Sequence, residues 1–252
     1  MRAVPRLDAL VARAVGCGRK GAKRLCRAKR IVGEDGTVLD DPGFSIVPSQ
    51  LPLTVRVDGE PVVLRVRFDL LLHKPVGCVT AHEDARHATA YGLLEGAPMF
   101  AELRAVGRLD LDTSGLLLWT TDGTAVHKLT HPRYAVPRTY HAGLAGPWRD
   151  PPTEGFVLDD GHAPRITDLS ALTESQTHPG LRRSETATHH ASITITTGRF
   201  HEVRRIFAAL GTEVVDLCRV AYGPVTLPVD LPAAAWRPLD LAEPFRGLSP
   251  VA

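Results

Sequence analysis

The chain has 252 residues, of which 44% are hydrophobic and 23% charged, so it can bury a sizeable core in one or two domains. With a net charge of +2, no apolar run near the ~18 residues that span a bilayer and no signal peptide, composition excludes a membrane protein and does not by itself indicate a nucleic-acid partner. The four cysteines lack zinc-site spacing, which indicates a reduced, cytoplasmic protein.

The first predicted elements form a small basic module. Residues 6–15 place apolar side chains at helical spacing, and glycines at 16 and 18 end that helix. A second helical stretch has one narrow apolar stripe and is otherwise cationic; its cations are Arg19, Lys20, Lys23, Arg24, Arg27, Lys29 and Arg30. Such a run is usually a solvated face, but without carboxylate partners these charges repel one another, and an RNA backbone would relieve that repulsion. The turn pair Asp35-Gly36 predicts a hairpin over residues 31–39.

The order of helix, basic helix and hairpin resembles the S-four-type RNA-binding domain, named for the small-subunit ribosomal protein. The resemblance covers roughly residues 6–66 and implies that the basic helix and the hairpin face RNA. Prolines at 48, 52 and 61 mark the stretch that follows as a domain edge. We therefore expect an RNA-binding domain and linker at residues 1–66 and a second domain at residues 67–252.

The second domain is predicted to begin with a buried strand at residues 68–72, followed by a turn that contains Lys74. A polar turn with Arg108, Asp110 and Asp112 then enters an apolar block at residues 116–119, which is typical of a buried strand. Loops that enter a sheet often hold catalytic groups rigidly. We interpret Asp112 as a turn residue that satisfies backbone groups and Asp110 as a functional carboxylate.

The C-terminal third contains two predicted strands and one amphipathic helix. Residues 138–144, which include Tyr140, and residues 191–197 alternate as strands do, while residues 146–189 are interpreted as a variable connecting region with a few short strands. Four apolar residues then recur at i, i+3, i+4 and i+7 and predict a helix that ends at Gly211. On that helix Arg204 lies beside the apolar face, as an interior ion-pair candidate, whereas Arg205 points towards solvent or RNA.

Motifs for cofactor or metal chemistry are lacking. The sequence has no phosphate-cradling glycine loop, no paired Cys or His at metal spacing and no Gly-x-Ser-x-Gly turn. His189, His190 and His201 are the nearest approach to a metal cluster, but adjacent histidines in a strand point to opposite faces. We therefore predict neither a metal nor a cofactor.

Three segments, residues 107–110, 138–140 and 198–205, resemble the signature motifs of the pseudouridine synthases that carry an S-four-type domain. Lys74-Pro75-x-Gly77 resembles the opening motif of that family, and residues 217–227 resemble its closing strand. The motifs occur in the family's order over nearly the whole chain. The resemblance implies an α+β protein, with a small S-four-like RNA-binding domain and a catalytic domain of mixed, mainly antiparallel sheet with flanking helices.

The resemblance also implies a reaction and residue roles. The enzyme would break the glycosidic bond of a uridine in RNA and rejoin the ribose to carbon 5 of the same base, with no redox change. Asp110 would be the carboxylate at the anomeric carbon, acting on the sugar or on a ribose proton, and Arg204 would pair with it. Tyr140 would stack on the uracil, and Arg108 would fill the space that the flipped base vacates. The other candidate substrate contacts are Lys74, His201 and Arg205.

The finer choice concerns which RNA is modified. Phe200-His201 and residues 91–94 look more like the branch of the family that acts on small-subunit ribosomal RNA, so we expect that RNA or a subunit assembly intermediate as the partner. The alternatives are a large-subunit synthase, a non-catalytic assembly protein, which would not need an aspartate facing phosphates, and a glycosylase, which would release free base. The chain has no obvious apolar interface helix, which favours a monomer.

Overall fold

The computed structural model describes residues 4–251, which belong to two compact units. The first unit extends to Phe68 and also includes Ala97–Glu102; the second comprises Asp69–Gly96 and the chain from Leu103 onwards. The boundary predicted at residues 66 and 67 did not include Ala97–Glu102 in the first unit. That segment is held there by Arg13, whose guanidinium donates to both carboxylate oxygens of Glu102 at 2.8 and 2.6 Å.

The first unit contains two helices and a three-stranded antiparallel sheet. Its elements are α1 (Leu7–Val15), α2 (Arg19–Arg27), β1 (Ile31–Gly33), β2 (Leu53–Val57) and β3 (Glu60–Leu64), and the sheet order is β1-β2-β3. Both predicted helices are confirmed, and Gly16 ends α1 in the left-handed region at φ +72°. The apolar stripes of the helices and the inward residues of the strands form one core.

The hairpin predicted over residues 31–39 forms only as a tight turn. Asp35 accepts a hydrogen bond from the Thr37 amide, and Val32 and Val38 form an isolated bridge. The extended pairing of β1 is instead with β2, in the register Ile31 to Val57. The turn chemistry was visible in the sequence, whereas the partner strand lies more than twenty residues further along the chain.

The second unit is built on one mixed sheet with flanking helices. Its strands are β4 (Asp69–Lys74), β5 (Cys78–Val79), β6 (Ala88–Thr89), β7 (Arg104–Val106), β8 (Thr113–Thr120), β9 (Arg138–Leu144), β10 (Ile166–Leu172), β11 (His189–Ile195), β12 (Val214–Tyr222), β13 (Val225–Thr226) and β14 (Trp236–Pro238). Its helices are α3 (Gly123–Thr130) and α4 (Glu202–Ala209). Short 3-10 turns across the two units lie at Pro48–Gln50, Gly92–Leu94, Phe100–Glu102, Pro132–Tyr134 and Glu174–Gln176.

The main sheet has the order β10-β11-β9-β12-β8-β4-β14, with β13 paired to β12 and β7 to β8. The pairing of β12 with β8 is parallel and the other pairings in this sheet are antiparallel, while β5 and β6 form a separate parallel pair. The expected α+β class with a mixed, mainly antiparallel sheet is confirmed. Residues 146–189 were expected to be a connecting region with a few short strands, and they contribute β10, a seven-residue strand at the end of this sheet.

The junction of β8 and β12 depends on one glycine. Gly115 has φ +112°, and a Cβ atom built there would lie 2.3 Å from the backbone oxygen of Arg219. The missing side chain allows the two strands to pair in the register Gly115 to Arg219, and β12 in turn pairs Arg219 with Tyr140 of β9. The turn that precedes β8 therefore lies beside the strand that holds Tyr140. Among the helices of residues 4–251, none has the length and apolar character to cross a bilayer.

Candidate active site

A cavity of about 360 Å³ opens in the second unit between the turn before β8, the strands β9 and β12, and the N-terminal end of α4. It brings together five of the residues singled out from the sequence, namely Arg108, Asp110, Tyr140, His201 and Arg204. Two other candidates, Lys74 and Arg205, are not part of its lining.

Asp110 lies on a turn that is fixed on both sides. The Thr80 hydroxyl donates to the Leu109 carbonyl at 2.9 Å and accepts from the Leu109 amide at 3.1 Å. The Asp110 carbonyl accepts from the Thr113 amide at 3.2 Å, where β8 begins. The Asp110 side chain keeps about a third of its surface exposed (33%), and its Oδ2 lies 3.8 Å from Nε2 of His201. A carboxylate on a rigid turn thus faces the cavity without a direct hydrogen-bonding side chain among the described residues.

Glu202 is the other carboxylate of the cavity wall, and the sequence analysis did not identify it. It is buried at the start of α4 and accepts hydrogen bonds from the Thr197 hydroxyl at 2.6 Å, the Arg199 amide at 2.8 Å and Nε2 of His162 at 2.8 Å. Because these donors occupy its oxygens, Glu202 locks the turn between β11 and α4. Of the two carboxylates in the cavity wall, Asp110 is therefore the one that is available to contact a substrate.

Arg204 does not pair with Asp110 as predicted. Its Nη2 forms an ion pair with Oδ2 of Asp112 at 2.9 Å, and its Nη1 donates to the Val214 carbonyl at 2.7 Å. The bond to Val214, at the start of β12, directs the guanidinium towards the far end of the turn, two residues beyond Asp110. Asp112 therefore does more than satisfy the turn backbone, because it joins α4 to the turn that presents Asp110.

Tyr140 is buried on β9 and lines the cavity. Its neighbour in register on β12 is Arg219, only 1% exposed, which the sequence analysis treated only as part of the closing motif. Arg219 donates from Nε to the Leu116 carbonyl at 2.8 Å and from Nη1 to the Arg108 carbonyl at 3.3 Å. Its role in the fold is thus to hold the Asp110 turn against the sheet. An arginine within an apolar strand was the signal that could have identified it.

The lining of the cavity is rich in arginine. Its arginines are Arg108, Arg138, Arg199, Arg204 and Arg219, against the two carboxylates of Asp110 and Glu202. Arg108 is exposed, whereas Arg138 is held by the Thr197 carbonyl and the Tyr222 hydroxyl at 3.0 and 3.2 Å. Arg204 is paired with Asp112 at 2.9 Å and Arg199 with Asp160 at 3.4 Å. The positive charge that remains, above all on exposed Arg108, suits a phosphate-bearing ligand.

Lys74 is a correction to the predicted substrate contacts. It is completely buried, and its ammonium donates to the Pro75 and Thr113 carbonyls at 2.9 and 2.8 Å. Burial lowers the pKa of Lys74, and the nearby carboxylates oppose that shift. Because the ammonium group is buried beneath the start of β8, bonded to two carbonyls and outside the cavity lining, Lys74 supports the Asp110 turn from below.

Arg205 is a second correction. Although the helical projection pointed it towards solvent or RNA, its guanidinium binds Asp159 and Asp160, the latter at 2.7 Å. The hydrogen bond from Arg205 is the main cause that lowers the pKa of Asp160 to about 2. These carboxylates come from the connection between β9 and β10, so the local helical pattern could not predict them.

The basic module is less free of carboxylates than its sequence suggested. Asp8 is buried on α1; it accepts from Arg6 at 3.2 Å and lies 3.5 Å from Arg19 and 4.0 Å from Lys23. The hydrogen bond from Arg6 is the main cause that lowers the pKa of Asp8. Arg30 binds Asp58 in the same way, with a 2.6 Å contact. Four cations have no carboxylate within 4.0 Å in the part of the chain that the structure describes: Lys20, Arg24, Arg27 and Lys29.

Residues 4–251 contain no group of three or more His, Cys, Asp or Glu side chains that could hold a metal ion. The cysteines are free thiols, with Cys17 half-buried and the other three buried. The side chains that line the cavity offer carboxylate, phenol, imidazole and guanidinium groups.

Comparison with known proteins gave consistent relatives. Residues 69–209 match the family model described as RNA pseudouridylate synthase. The ribosomal small subunit pseudouridine synthase A of Yersinia pestis is 35% identical over 94% of this chain and 96% of its own length. Those of Escherichia coli and Vibrio cholerae are 35% and 33% identical, each over 94% of this chain and 97% of the relative. A crystal structure of a pseudouridylate synthase superposes with a TM-score of 0.58 at 29% identity, covering 95% of this chain and 97% of that one.

Proposed function

The chain belongs to the RNA pseudouridylate synthase family, and we propose that it converts one uridine of small-subunit ribosomal RNA to pseudouridine. The observation that carries this proposal is the geometry of Asp110, an unengaged carboxylate on a rigid turn, in a cavity that Tyr140 and five arginines line. The similarity to small-subunit synthases over 94% of the chain supports the choice of RNA.

The reaction needs a carboxylate at the sugar. When the bond between C1′ and N1 breaks, its electron pair leaves with the uracil and positive charge builds on the ribose, as in glycoside cleavage. Asp110 meets this demand by one of two routes. It attacks C1′ and forms an ester bond that breaks when carbon 5 bonds to C1′, or it removes the proton from the neighbouring ribose carbon and returns that proton when carbon 5 bonds to C1′. In both routes the uracil turns before the new bond forms, the proton on carbon 5 is then lost and N1 gains one. Atoms and electrons balance without any co-reactant.

The other residues of the cavity would hold the base and the turn. Tyr140 would stack on the uracil and receive the proton from carbon 5. Arg108, which is exposed at the rim, would occupy the place that the flipped uridine leaves in the RNA. Arg204 would act through Asp112 by orienting the Asp110 turn, and His201, 3.8 Å from Asp110, would contact the substrate beside it.

We further propose that residues 1–66 form an S-four-like RNA-binding domain. The support is the face of α2 on which Lys20, Arg24 and Arg27 carry charge without a carboxylate within 4.0 Å among the described residues. Such a face binds phosphates through counterion release. The partner would be ribosomal RNA, free or in an assembling subunit, met in the cytoplasm by a monomer of this chain.

The direct test is a pseudouridine map of ribosomal RNA from cells that lack the protein, complemented with either the wild-type chain or Asp110→Asn. We expect one small-subunit site to disappear, to return with the wild type, and to stay absent with the variant, whose turnover should fall on the order of 1000-fold or more. RNA binding by the variant should change less than about twofold, because the asparagine keeps the shape of the side chain. A lost site in large-subunit RNA would refute the choice of RNA, and an active variant would refute the role of Asp110.

A further inference from the structure

Phe200 is the most exposed large hydrophobic side chain among the described residues, with 74% of its surface open to solvent. Single exposed apolar residues are common, but this one lies on the rim of the arginine-lined cavity. One face of its ring stacks on His201, with ring centroids 3.8 Å apart and planes inclined by 18°. The other face is open.

The turn beneath this ring is held rigidly. Buried Glu202 accepts hydrogen bonds from the Thr197 hydroxyl and the Arg199 amide, which bracket the turn. His201 has a left-handed backbone at φ +51°, a conformation that persists in a non-glycine residue only when its surroundings enforce it. Phe200 is therefore presented as a fixed aromatic plate at the mouth of the cavity.

The charges around the plate favour a nucleic acid over an apolar partner. Arg108 and Arg199 lie exposed in the same cavity wall, and Arg199 also forms an ion pair with Asp160 at 3.4 Å. A flat aromatic face beside cations is the combination that binds single-stranded RNA, because bases stack on the ring while phosphates meet the charges. A single ring also matches the size of one base.

We propose that the open face of Phe200 stacks on a nucleobase adjacent to the target uridine, which forms a flanking-base subsite beside the active-site cavity. This inference rests on the proposed function. Withdrawing a uridine from its stack leaves each of its two neighbours with an uncovered face. Arg108 would enter the gap on one side, and Phe200 covers the face of the neighbour on the other side. The subsite contributes to RNA binding and stays outside the chemistry at C1′. Because every base has a flat face that can stack, the subsite accepts any of the four bases at the flanking position but requires that a base be present.

The experiment uses the full chain and RNA fragments that contain the mapped uridine, with a normal base or an abasic site at each flanking position. Wild type is compared with Phe200→Ala, Phe200→Leu and Phe200→Trp. Val229→Ala is the matched control, since Val229 is 72% exposed and is not part of this cavity. The measured quantities are the KM and kcat of pseudouridine formation. With the inactive Asp110→Asn chain, the fluorescence of 2-aminopurine at the flanking position reports stacking directly.

We expect Phe200→Ala and Phe200→Leu to raise KM about tenfold, with kcat within about twofold, while Phe200→Trp retains the wild-type KM. The leucine variant distinguishes stacking from hydrophobic contact, because leucine is apolar but has no ring on which a base can stack. An abasic site at one flanking position should raise the KM of the wild type by a similar factor. The same abasic site should not raise the KM of Phe200→Ala any further. Quenching of 2-aminopurine should disappear when Phe200→Ala is added to Asp110→Asn, and Val229→Ala should behave as wild type.

A KM of Phe200→Ala equal to that of the wild type would overturn the subsite. So would abasic sites that, at both flanking positions, raise the KM of Phe200→Ala by the same factor as they raise the KM of the wild type. A defect confined to assembled subunits and absent on naked RNA that the wild type modifies would also overturn it, in favour of a protein partner. Failure of the proposed function looks different, because the wild type would then form no pseudouridine in any of these RNAs.

Discussion

At the scale of single residues, the site is organised around the two ends of one turn. Asp110 faces the cavity, and Asp112 is bound by Arg204 at 2.9 Å. An arginine bound directly to Asp110 would lower its basicity and block its access to a sugar. Placing the arginine on the next carboxylate instead fixes the turn and leaves Asp110 available.

This arrangement predicts that Asp112→Asn lowers kcat by up to about tenfold with little change in KM, because the Asp110 turn loses its tie to α4. The free energy of unfolding should fall by less than about 1 kcal/mol, since the Asp112 side chain is 60% exposed. Asp84→Asn, another exposed aspartate in a turn, is the control for a general effect of removing charge. Wild-type kcat in Asp112→Asn would favour a direct contact of Arg204 with Asp110 in the RNA complex.

The positions of these residues show what local sequence could predict. The helical spacing of the apolar residues correctly predicted the apolar face of α4 and placed Arg204 at its border. The carboxylate partners of Arg204 and Arg205 lie on the turn before β8 and in the connection after β9, far away in sequence. Helical periodicity carries no information on such contacts, so it pointed Arg205 towards solvent or RNA. The pairing of Arg204 with Asp110 came from the motif resemblance, and the structure pairs Arg204 with Asp112 instead. Lys74 was misplaced for the same reason, because its burial depends on the strand that covers it.

At the scale of elements, the close approach of β8 and β12 is what brings the Asp110 turn to Tyr140. Gly115→Ala would put a methyl group 2.3 Å from the Arg219 oxygen at φ +112°. We expect the free energy of unfolding to fall by at least about 2 kcal/mol, measured by denaturant titration. Gly123→Ala is the matched control: a Cβ there meets nothing within 4 Å, and alanine at the start of α3 should be neutral or slightly stabilising. Equal stability of the two variants would contradict this account of the junction.

The second element that invites a test is α2. Changing Lys20, Arg24 and Arg27 to glutamine should weaken RNA binding and lower the slope of log affinity against log salt by about 0.7 to 0.9 for each phosphate that the variant no longer neutralises. Arg30→Gln is the control within the same basic segment, since Asp58 already binds that guanidinium at 2.6 Å, and its effect should be smaller. An unchanged slope in the triple variant would mean that α2 is only a solvated face.

At the scale of the whole molecule, most of the architecture followed from patterns that are local. The helices α1, α2 and α4 and the strands β9 and β11 were visible in periodicity and turn residues. The order of strands in the main sheet, the parallel pair β8–β12 and the position of β10 in the sheet were not, because pairing between distant strands depends on packing. The motif resemblance supplied the catalytic candidates, and the three-dimensional structure decided which of them share a cavity.

The second unit also contains a half-buried histidine pair, His141 and His178, that ties its stability to pH. Nδ1 of His141 accepts from the His178 amide at 2.9 Å, and Nδ1 of His178 accepts from the Gly180 amide at 2.9 Å. Each bond requires an unprotonated nitrogen. Burial lowers the pKa of both histidines below the ordinary value of 6.5, and each also has a histidine neighbour that opposes its charge.

The sign of the pH dependence follows from proton binding. Below pH 6.5 the unfolded chain takes up protons that the folded pair resists, so the free energy of unfolding is fully maintained above pH 6.5 and falls as the pH drops towards 5. The salt-bridged Asp160, with a pKa of about 2, does not titrate in this window. Urea titrations at pH 7.5, 6.5, 5.5 and 5.0 should show the decline. His141→Asn, whose side-chain oxygen can still accept from the His178 amide, should flatten it, whereas exposed His189→Asn should leave it unchanged. If the free energy of unfolding fell equally steeply with pH in wild type and in His141→Asn, the pH dependence would come from other groups. The histidine pair would then contribute to packing only.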